Sequence, residues 1–351
     1  MTVIVKAKNV WRRIQQNVDI RLKNMGPDKQ TKEGIVLLNT ALGSDNLGDE
    51  IIAHYYSKMI TDVFNPEKVY NVATHCKPSE QDIQELLNTE YAVVIGTNFL
   101  SPQMELYSGW QFDNRLIKMR NVVLFGVGWW GYKKPSLYSK YVYRRILSKH
   151  ITHSVRDEQT LKMLNSIGIK NVINTNCLTM LGLEKTCNNI PKEKADKVIF
   201  TVTGVMKRRE FDQSMIDILQ QNYKDIYFWP QGDYDLQYLK TLKNIENITI
   251  LDRTLAAYTN LLEETSNLDY IGTRLHGGIH AMQNGHRSII IAIDNRAVEI
   301  SRDTGLPIIR DNEISDKLNN LINTNWETKI QLNNDLIKEW YSSFSKIKIK
   351  Y

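Results

Sequence analysis

No apolar run in this sequence is long enough to cross a bilayer. The longest, residues 122–127 and 288–293, fall far short of the roughly 20 residues a spanning helix needs. Cysteine is scarce: Cys76, Cys177 and Cys187 form an odd set with no CxxC pair. That excludes a disulfide framework and a cysteine zinc site. It fits three free thiols in a reducing, cytoplasmic compartment. The opening stretch is broken early by Lys6 and Lys8, so no secretory signal is expected. No basic run exceeds Lys207-Arg208-Arg209 and the net charge is a mild +6, so no nucleic-acid partner is expected. By itself the positive excess suits phosphorylated substrates, an anionic membrane surface or nucleic acid alike. Missing too are the GK[ST] of a P-loop, a GxGxxG dinucleotide loop and a GxSxG nucleophile elbow.

What is present is an ordinary globular composition, 42% hydrophobic and 24% charged, over 351 residues, a length that suits two domains. Residues 1–33 read as a polar N-terminal extension. Short apolar runs then begin at Ile35, Lys68, Ala92, Asn121 and His150, with amphipathic stretches such as 50–63 and 137–148 between them. Continuous apolar runs suit strands buried on both faces, and their alternation with helices builds a parallel, doubly wound sheet. A polar linker is expected at 182–197. The alternation restarts with runs at Val198, Asp225, Ile248, Leu268 and Ser288, and residues 326–351 close the chain as a helix. The expected fold is α/β, with two Rossmann-like doubly wound domains, 34–181 and 198–325, facing a cleft. Ligands in such folds bind at the carboxyl ends of the strands.

Four segments at strand ends could carry chemistry. Gly43-Ser44-Asp45-Asn46-Leu47-Gly48-Asp49-Glu50 follows the first strand, and a helix N-terminus there can cradle phosphate or carboxylate; the same residues also suit a plain N-cap. Gly126-Val127-Gly128-Trp129-Trp130-Gly131-Tyr132 pairs glycines with aromatics that could stack on a sugar, face a membrane, or simply fill the core. Ser154-Val155-Arg156-Asp157-Glu158 offers a guanidinium fork for an anion, or a surface ion pair. In Gly272-Thr273-Arg274-Leu275-His276-Gly277-Gly278-Ile279-His280, strand alternation puts Arg274 and His276 on one side, ahead of a helix opened by two glycines. Arginine to bind charge, histidine to move a proton and a helix N-terminus make a compact anion site. His276, His280 and His286 invite a zinc reading, but no acidic HExxH partner is present and no metal is expected.

Taken in order, these segments resemble the polysaccharide pyruvyl transferase family across residues 35–300 or so. The resemblance implies a GT-B-like pair of Rossmann-like domains. It implies transfer of a pyruvyl group from phosphoenolpyruvate onto two hydroxyls of a sugar, giving a ketal, with no further cofactor. The acceptor would be a cell-surface glycan or a lipid-linked precursor, in cell-envelope polysaccharide biosynthesis. Carried onto this chain, His276 is the expected acid and Asp49 the base or an orienting group. Arg156, Arg274, Gly277, Gly278, Asn46, Gly48 and Gly128 are the expected binding residues. Two turns depart from the family pattern: Gly96-Thr97-Asn98-Phe99, and Thr175-Asn176-Cys177-Leu178-Thr179 where an Asp-Pro turn is commoner. They leave open a second reading, a GT-B-like glycosyltransferase that uses a nucleotide sugar. Trp11, Arg12 and Arg13, with the stretch 129–134, suit contact with a membrane that carries the acceptor; a protein acting on soluble sugars fits them equally.

Overall fold

The structure is a computed structural model that describes residues 32–64, 69–107 and 109–345. Most of the N-terminal extension, including Trp11, Arg12 and Arg13, lies outside the described residues. The chain divides into two compact units. The first takes in Met1–Gly43, Tyr55–Leu178 and Asn333–Tyr351; the second takes in Ser44–His54 and Thr179–Leu332.

In the first unit, β1 (Lys32–Asn39), β2 (Val69–Ala73), β3 (Thr89–Ile95) and β4 (Val122–Phe125) form a parallel sheet in the order β2-β1-β3-β4. Val93, Val94 and Ile95 on β3 and all four residues of β4 are buried, as expected for strands covered on both faces. β5 (His153–Val155) and β6 (Val172–Asn174) pair in parallel beside it, and a parallel bridge joins Val127 to Val155. Crossovers are made by α1 (Leu47–Phe64), α2 (Glu80–Asn88), α3 (Leu137–Ile146) and α4 (Glu158–Ser166). Their starts are set locally: Ser79 and Asp82 make a capping box, and Ser136 and Asp157 cap α3 and α4. Because the boundary between units falls at His54 and Tyr55, the first turns of α1 count with the second unit.

The second unit holds one six-stranded parallel sheet, built from β7 (Lys197–Thr201), β8 (Asp225–Phe228), β9 (Ile248–Ile250), β10 (Leu268–Gly272), β11 (Ser288–Ala292) and β12 (Ile308–Arg310). The order is β12-β11-β10-β7-β8-β9. Its main helices are α5 (Arg209–Asn222), α6 (Asp235–Leu239), α7 (Leu255–Glu264), α8 (Leu275–Gln283) and α9 (Asn295–Thr304). From β7 the chain winds outward through β8 and β9, then returns to β10 on the other side of β7. The strand order therefore reverses between β7 and β10, the place where open α/β sheets bind ligands.

The helix expected from Trp326 begins only at Asn334 and runs to Ser345. Before it, the backbone N–H groups of Trp326 and Gln331 bond outward, to Lys192 and Thr304, instead of closing helical turns. Trp340 and Phe344 of that helix pack edge-on against Phe125 and Phe64 in the first unit. Among the described residues, no helix is long and apolar enough to cross a membrane. Cys76, Cys177 and Cys187 are free thiols, and burial pushes the Cys187 thiol up to about 11.

Candidate active site

In the second unit, the loop after β10 meets the segment 44–49. The Arg274 main-chain N–H donates to the Thr201 hydroxyl at 3.3 Å, and the Tyr270 hydroxyl donates to the Arg274 carbonyl at 2.7 Å. The turn is thus fastened to β7 and β10 at the point of strand reversal. Arg274 Nη2 donates to both carboxylate oxygens of Asp235, each at 2.6 Å. Arg274 Nη1 reaches Asn46 Oδ1 at 3.4 Å, and Gln231 Nε2 reaches the same oxygen at 3.3 Å. The Leu47 N–H donates to the Gln231 carbonyl at 2.9 Å, and Asn46 forms an antiparallel bridge with Gly232. Arg253 adds a second cation, donating to the Asp45 carbonyl at 2.8 Å and pairing with Asp233.

Arg274 was expected to share a strand face with His276. The strand ends at Gly272, Arg274 is the N-cap of α8, and His276 is the second residue of that helix, so the two-residue alternation does not reach them. What they share is the mouth of α8, where first-turn N–H groups lack intrahelical partners. Both are largely shielded; the Arg274 side chain is 12% exposed. Gly277 and Gly278 do not open the helix but lie inside its first turns. A Cβ at 278 would stand 2.6 Å from Ile290 Cγ1, so this glycine lets α8 lie close on the sheet. A Cβ at 277 would approach the Tyr270 hydroxyl and Gln231 Oε1 at 3.1 and 3.3 Å, and the Tyr258 hydroxyl donates to the Gly277 carbonyl at 2.8 Å.

Asp49 lies in the first turn of α1 and accepts from the Ser44 hydroxyl at 2.6 Å, while Gly48 N–H donates to Asn46 Oδ1 at 3.2 Å. The loop is therefore a cap that also presents Asn46 to Arg274. Two buried atoms here have no hydrogen-bond partner among the described residues: Arg274 Nε and Gln231 Oε1. Arg274 is not a free cation, because its charge is met by a carboxylate only 1% exposed. Asp235 in turn accepts from the N–H groups of Gly204, Gln231 and Gly232 at 2.7–3.1 Å, which fixes its position.

The histidines do not gather as zinc ligands. The His280 Nε2 bonds the Thr259 hydroxyl at 3.0 Å, and burial, with His54 nearby, pushes its imidazole down to about 4. Both ring nitrogens of His286 lie against backbone carbonyls, those of Leu268 and Leu262. Among the described residues, no group of three or more His, Cys, Asp or Glu is placed to hold a metal ion.

The first unit has its own constellation at the carboxyl ends of β3, β4 and β5. The Arg156 side chain is 1% exposed; it donates through Nη2 to Asn98 Oδ1 and through Nε to Asp157 Oδ2 at 3.4 Å. Its Nη1 is buried without a hydrogen-bond partner among the described residues. Gly128 is a glycine for a steric reason: a Cβ there would overlap the Arg156 guanidinium. Asp157 is largely spent on capping α4, since its Oδ1 accepts from the Thr160 N–H and hydroxyl at 2.7 and 2.6 Å. The Arg156–Asp157 ion pair is the longer of the two, 3.4 Å against 2.6 Å for Arg274–Asp235. The positive field of Arg156 lowers the buried Tyr56 hydroxyl, although burial still raises that group well above its ordinary value.

Trp129, for which the sequence left sugar stacking, membrane contact and the core open, takes the core place: it is fully buried, and its indole N–H donates to the Lys133 carbonyl at 3.1 Å. Trp130 is the exposed one of the pair. The family model of polysaccharide pyruvyl transferases matches residues 46–295, a span that begins at Asn46 and takes in Gly128, Arg156, Arg274 and His276. The chain belongs to this family. It is accordingly a transferase. No curated protein matches it by sequence. Among solved structures, the chain is similar to UDP-GlcNAc 2-epimerase from Methanocaldococcus jannaschii, bound to UDP-GlcNAc and UDP, at 12% identity and a TM-score of 0.48, covering 91% of this chain and 99% of that one. It is also similar to the UDP-N-acetylglucosamine 2-epimerase from Rickettsia bellii, at 10% identity and a TM-score of 0.49, covering 91% and 96%.

In this pyruvyl transferase family member, sequence reasoning missed Asp235 and Asn98 as partners of the arginines and Arg253 as a second cation, while Gln231 stood in a turn that suits a ligand contact but is more often a helix cap. The signal for Gln231 and Asp235 was the tight Gln231-Gly232-Asp233-Tyr234 turn after β8, which reads as a helix start. Asn98 stood in one of the two turns that depart from the family pattern, and its partner is 58 residues away.

Proposed function

We propose that this enzyme transfers the pyruvyl group of phosphoenolpyruvate to two hydroxyls of a sugar, on a cell-surface glycan or its lipid-linked precursor. The observation that carries the reading is the convergence of Arg274, Asn46 and Gln231 at the strand reversal of the second unit, with His276 in the first turn of the adjoining helix. Phosphoenolpyruvate brings a carboxylate and a phosphate, and in the second unit Arg274 is the cation offered to them. Family membership supports a glycan acceptor; the donor is this proposal's own. The donor is a cytoplasmic metabolite, so the reaction belongs on the cytoplasmic side, at the inner membrane face when the acceptor is lipid-linked.

In the proposed chemistry, His276 gives a proton to the methylene carbon, which leaves the central carbon electron-poor. One sugar hydroxyl adds there and loses its proton, with Asp49 as base or as the group that orients it. The second hydroxyl then displaces phosphate at the same carbon and closes the ketal. Protons balance: one enters the methyl group, two leave the hydroxyls, and phosphate departs carrying the difference. The test is incubation with phosphoenolpyruvate and an acceptor glycan, followed by phosphate release and the appearance of a ketal methyl signal in NMR. Nucleotide release from a panel of nucleotide sugars, with no phosphate release from phosphoenolpyruvate, would overturn the reading in favour of a glycosyltransferase.

A further inference from the structure

Two loops of the first unit, 100–107 and 128–137, are tied into one surface. The Trp130 N–H donates to the Leu100 carbonyl at 2.8 Å, the Leu100 N–H to the Gly128 carbonyl at 3.2 Å, and the Ser136 N–H to the Pro102 carbonyl at 2.8 Å. The Ser136 hydroxyl also donates to Glu105 at 2.9 Å, which occupies the acidic group of the first loop. Five large apolar side chains of these two loops are exposed: Leu106, Tyr107, Trp130, Tyr132 and Leu137, the last 87% exposed. The Tyr107 and Trp130 rings meet edge to face, with centroids 4.1 Å apart. Beside them Lys133 and Lys134 are exposed. Underneath, Trp129 and Tyr143 are buried and anchor the loops: the Tyr143 hydroxyl accepts from the Ser101 N–H at 2.7 Å.

Solvent-exposed leucine gains nothing from a sugar, and five exposed large apolar groups on two loops bonded to one another are unusual for a surface that meets only water. Tryptophan and tyrosine favour the boundary between lipid headgroups and acyl chains, and lysines beside them are attracted to anionic headgroups. We propose that this surface seats the first unit on an anionic lipid bilayer, with Trp130, Tyr132 and Leu137 entering the interface and Lys133 and Lys134 meeting the headgroups. It deepens the reading above, from which it takes the lipid-linked acceptor, and it replaces Trp129 as the membrane residue.

The test uses the full chain and vesicles of phosphatidylcholine with and without phosphatidylglycerol. The protein is expected to float with the anionic vesicles and to be released by salt. Lys133→Gln and Lys134→Gln should each weaken partitioning about fivefold. Tyr132→Ser with Leu137→Ser should weaken it at least tenfold, with turnover of a soluble acceptor unchanged. No flotation, alongside normal turnover of a soluble acceptor, overturns the docking surface and leaves the pyruvyl reading standing. Flotation without phosphate release from phosphoenolpyruvate does the reverse. If the Tyr132→Ser, Leu137→Ser variant instead turns a dimer into a monomer in sedimentation, or loses affinity for soluble glycan, the surface belongs to a second copy or to the acceptor and the proposal falls.

Discussion

Arg274 places one guanidinium nitrogen 2.6 Å from both carboxylate oxygens of Asp235, and that carboxylate is nearly sealed from solvent. The pair fixes how Arg274 faces Asn46. Removing Arg274 alone leaves a buried carboxylate without its counter-charge, which costs about 3–5 kcal/mol. Arg274→Ala is therefore expected to lose both stability and turnover. Adding Asp235→Asn to Arg274→Ala should recover part of the stability and none of the activity. Denaturant titration and assays of both variants check this; full activity in the double variant would remove Arg274 from the site.

His276 is predicted to fail differently. With the proton donor gone, His276→Ala should lower turnover on the order of 100-fold or more while donor affinity stays close to normal. Calorimetry with phosphoenolpyruvate and single-turnover assays separate the two effects. A variant that turns over at a near-normal rate would show that the acid lies elsewhere.

Gly128 and Gly48 make a steric pair of tests. A Cβ at 128 would overlap the guanidinium of Arg156, whose side chain is 1% exposed. Gly128→Ala should destabilise by about 1–3 kcal/mol and displace Arg156, with a matching loss of activity. At 48 the obstacle is Gln231 Nε2 at 2.5 Å, the end of a side chain that can rotate away. Gly48→Ala should be near neutral for stability yet lower activity by moving Gln231 off Asn46. Melting temperatures and kcat/KM for the two variants check the contrast; equal melting losses would count against it.

Acid stability should follow two buried histidines. Burial pushes His153 down to about 4, and His280 down to about 4 with His54 adding to the effect. The His153 ring is further fixed, since Nδ1 accepts from the Leu124 N–H and Nε2 faces the Ser148 carbonyl. Both take up protons more readily when unfolded, so the stability of the neutral forms is full above pH ~6.5 and is lost as pH falls toward 4. The loss is on the order of 3 kcal/mol for each group. Urea titrations from pH 7.5 to 4.5 should show it, and His153→Gln should flatten the slope. A stability that stays level down to pH 4.5 contradicts the assignment.

How much of this could be read beforehand follows from how local each feature is. Strands β1, β3, β4, β7, β10 and β11 were legible because a continuous apolar run needs cover on both faces, and the family was legible because its motifs are contiguous. Other features were not. The start of α8 at Leu275 depends on where β10 stops pairing with β7, and the late start of the final helix depends on backbone bonds to Thr304 and Lys192. Trp129 and Trp130 are adjacent and chemically identical, and only packing beneath the loop decides which one water reaches.

The sequence by itself determined the alternating α/β order and supplied Arg156 just after a strand and Arg274 and His276 in the strand-to-helix segment after β10, because apolar periodicity and such motifs are encoded within a few consecutive residues. Tertiary structure decided the partners: Asn98 for Arg156, and Asp235 and Asn46 for Arg274, across 58, 39 and 228 residues. A guanidinium's effective charge depends on which carboxylate is held within hydrogen-bond reach after burial, and no local pattern carries that distance.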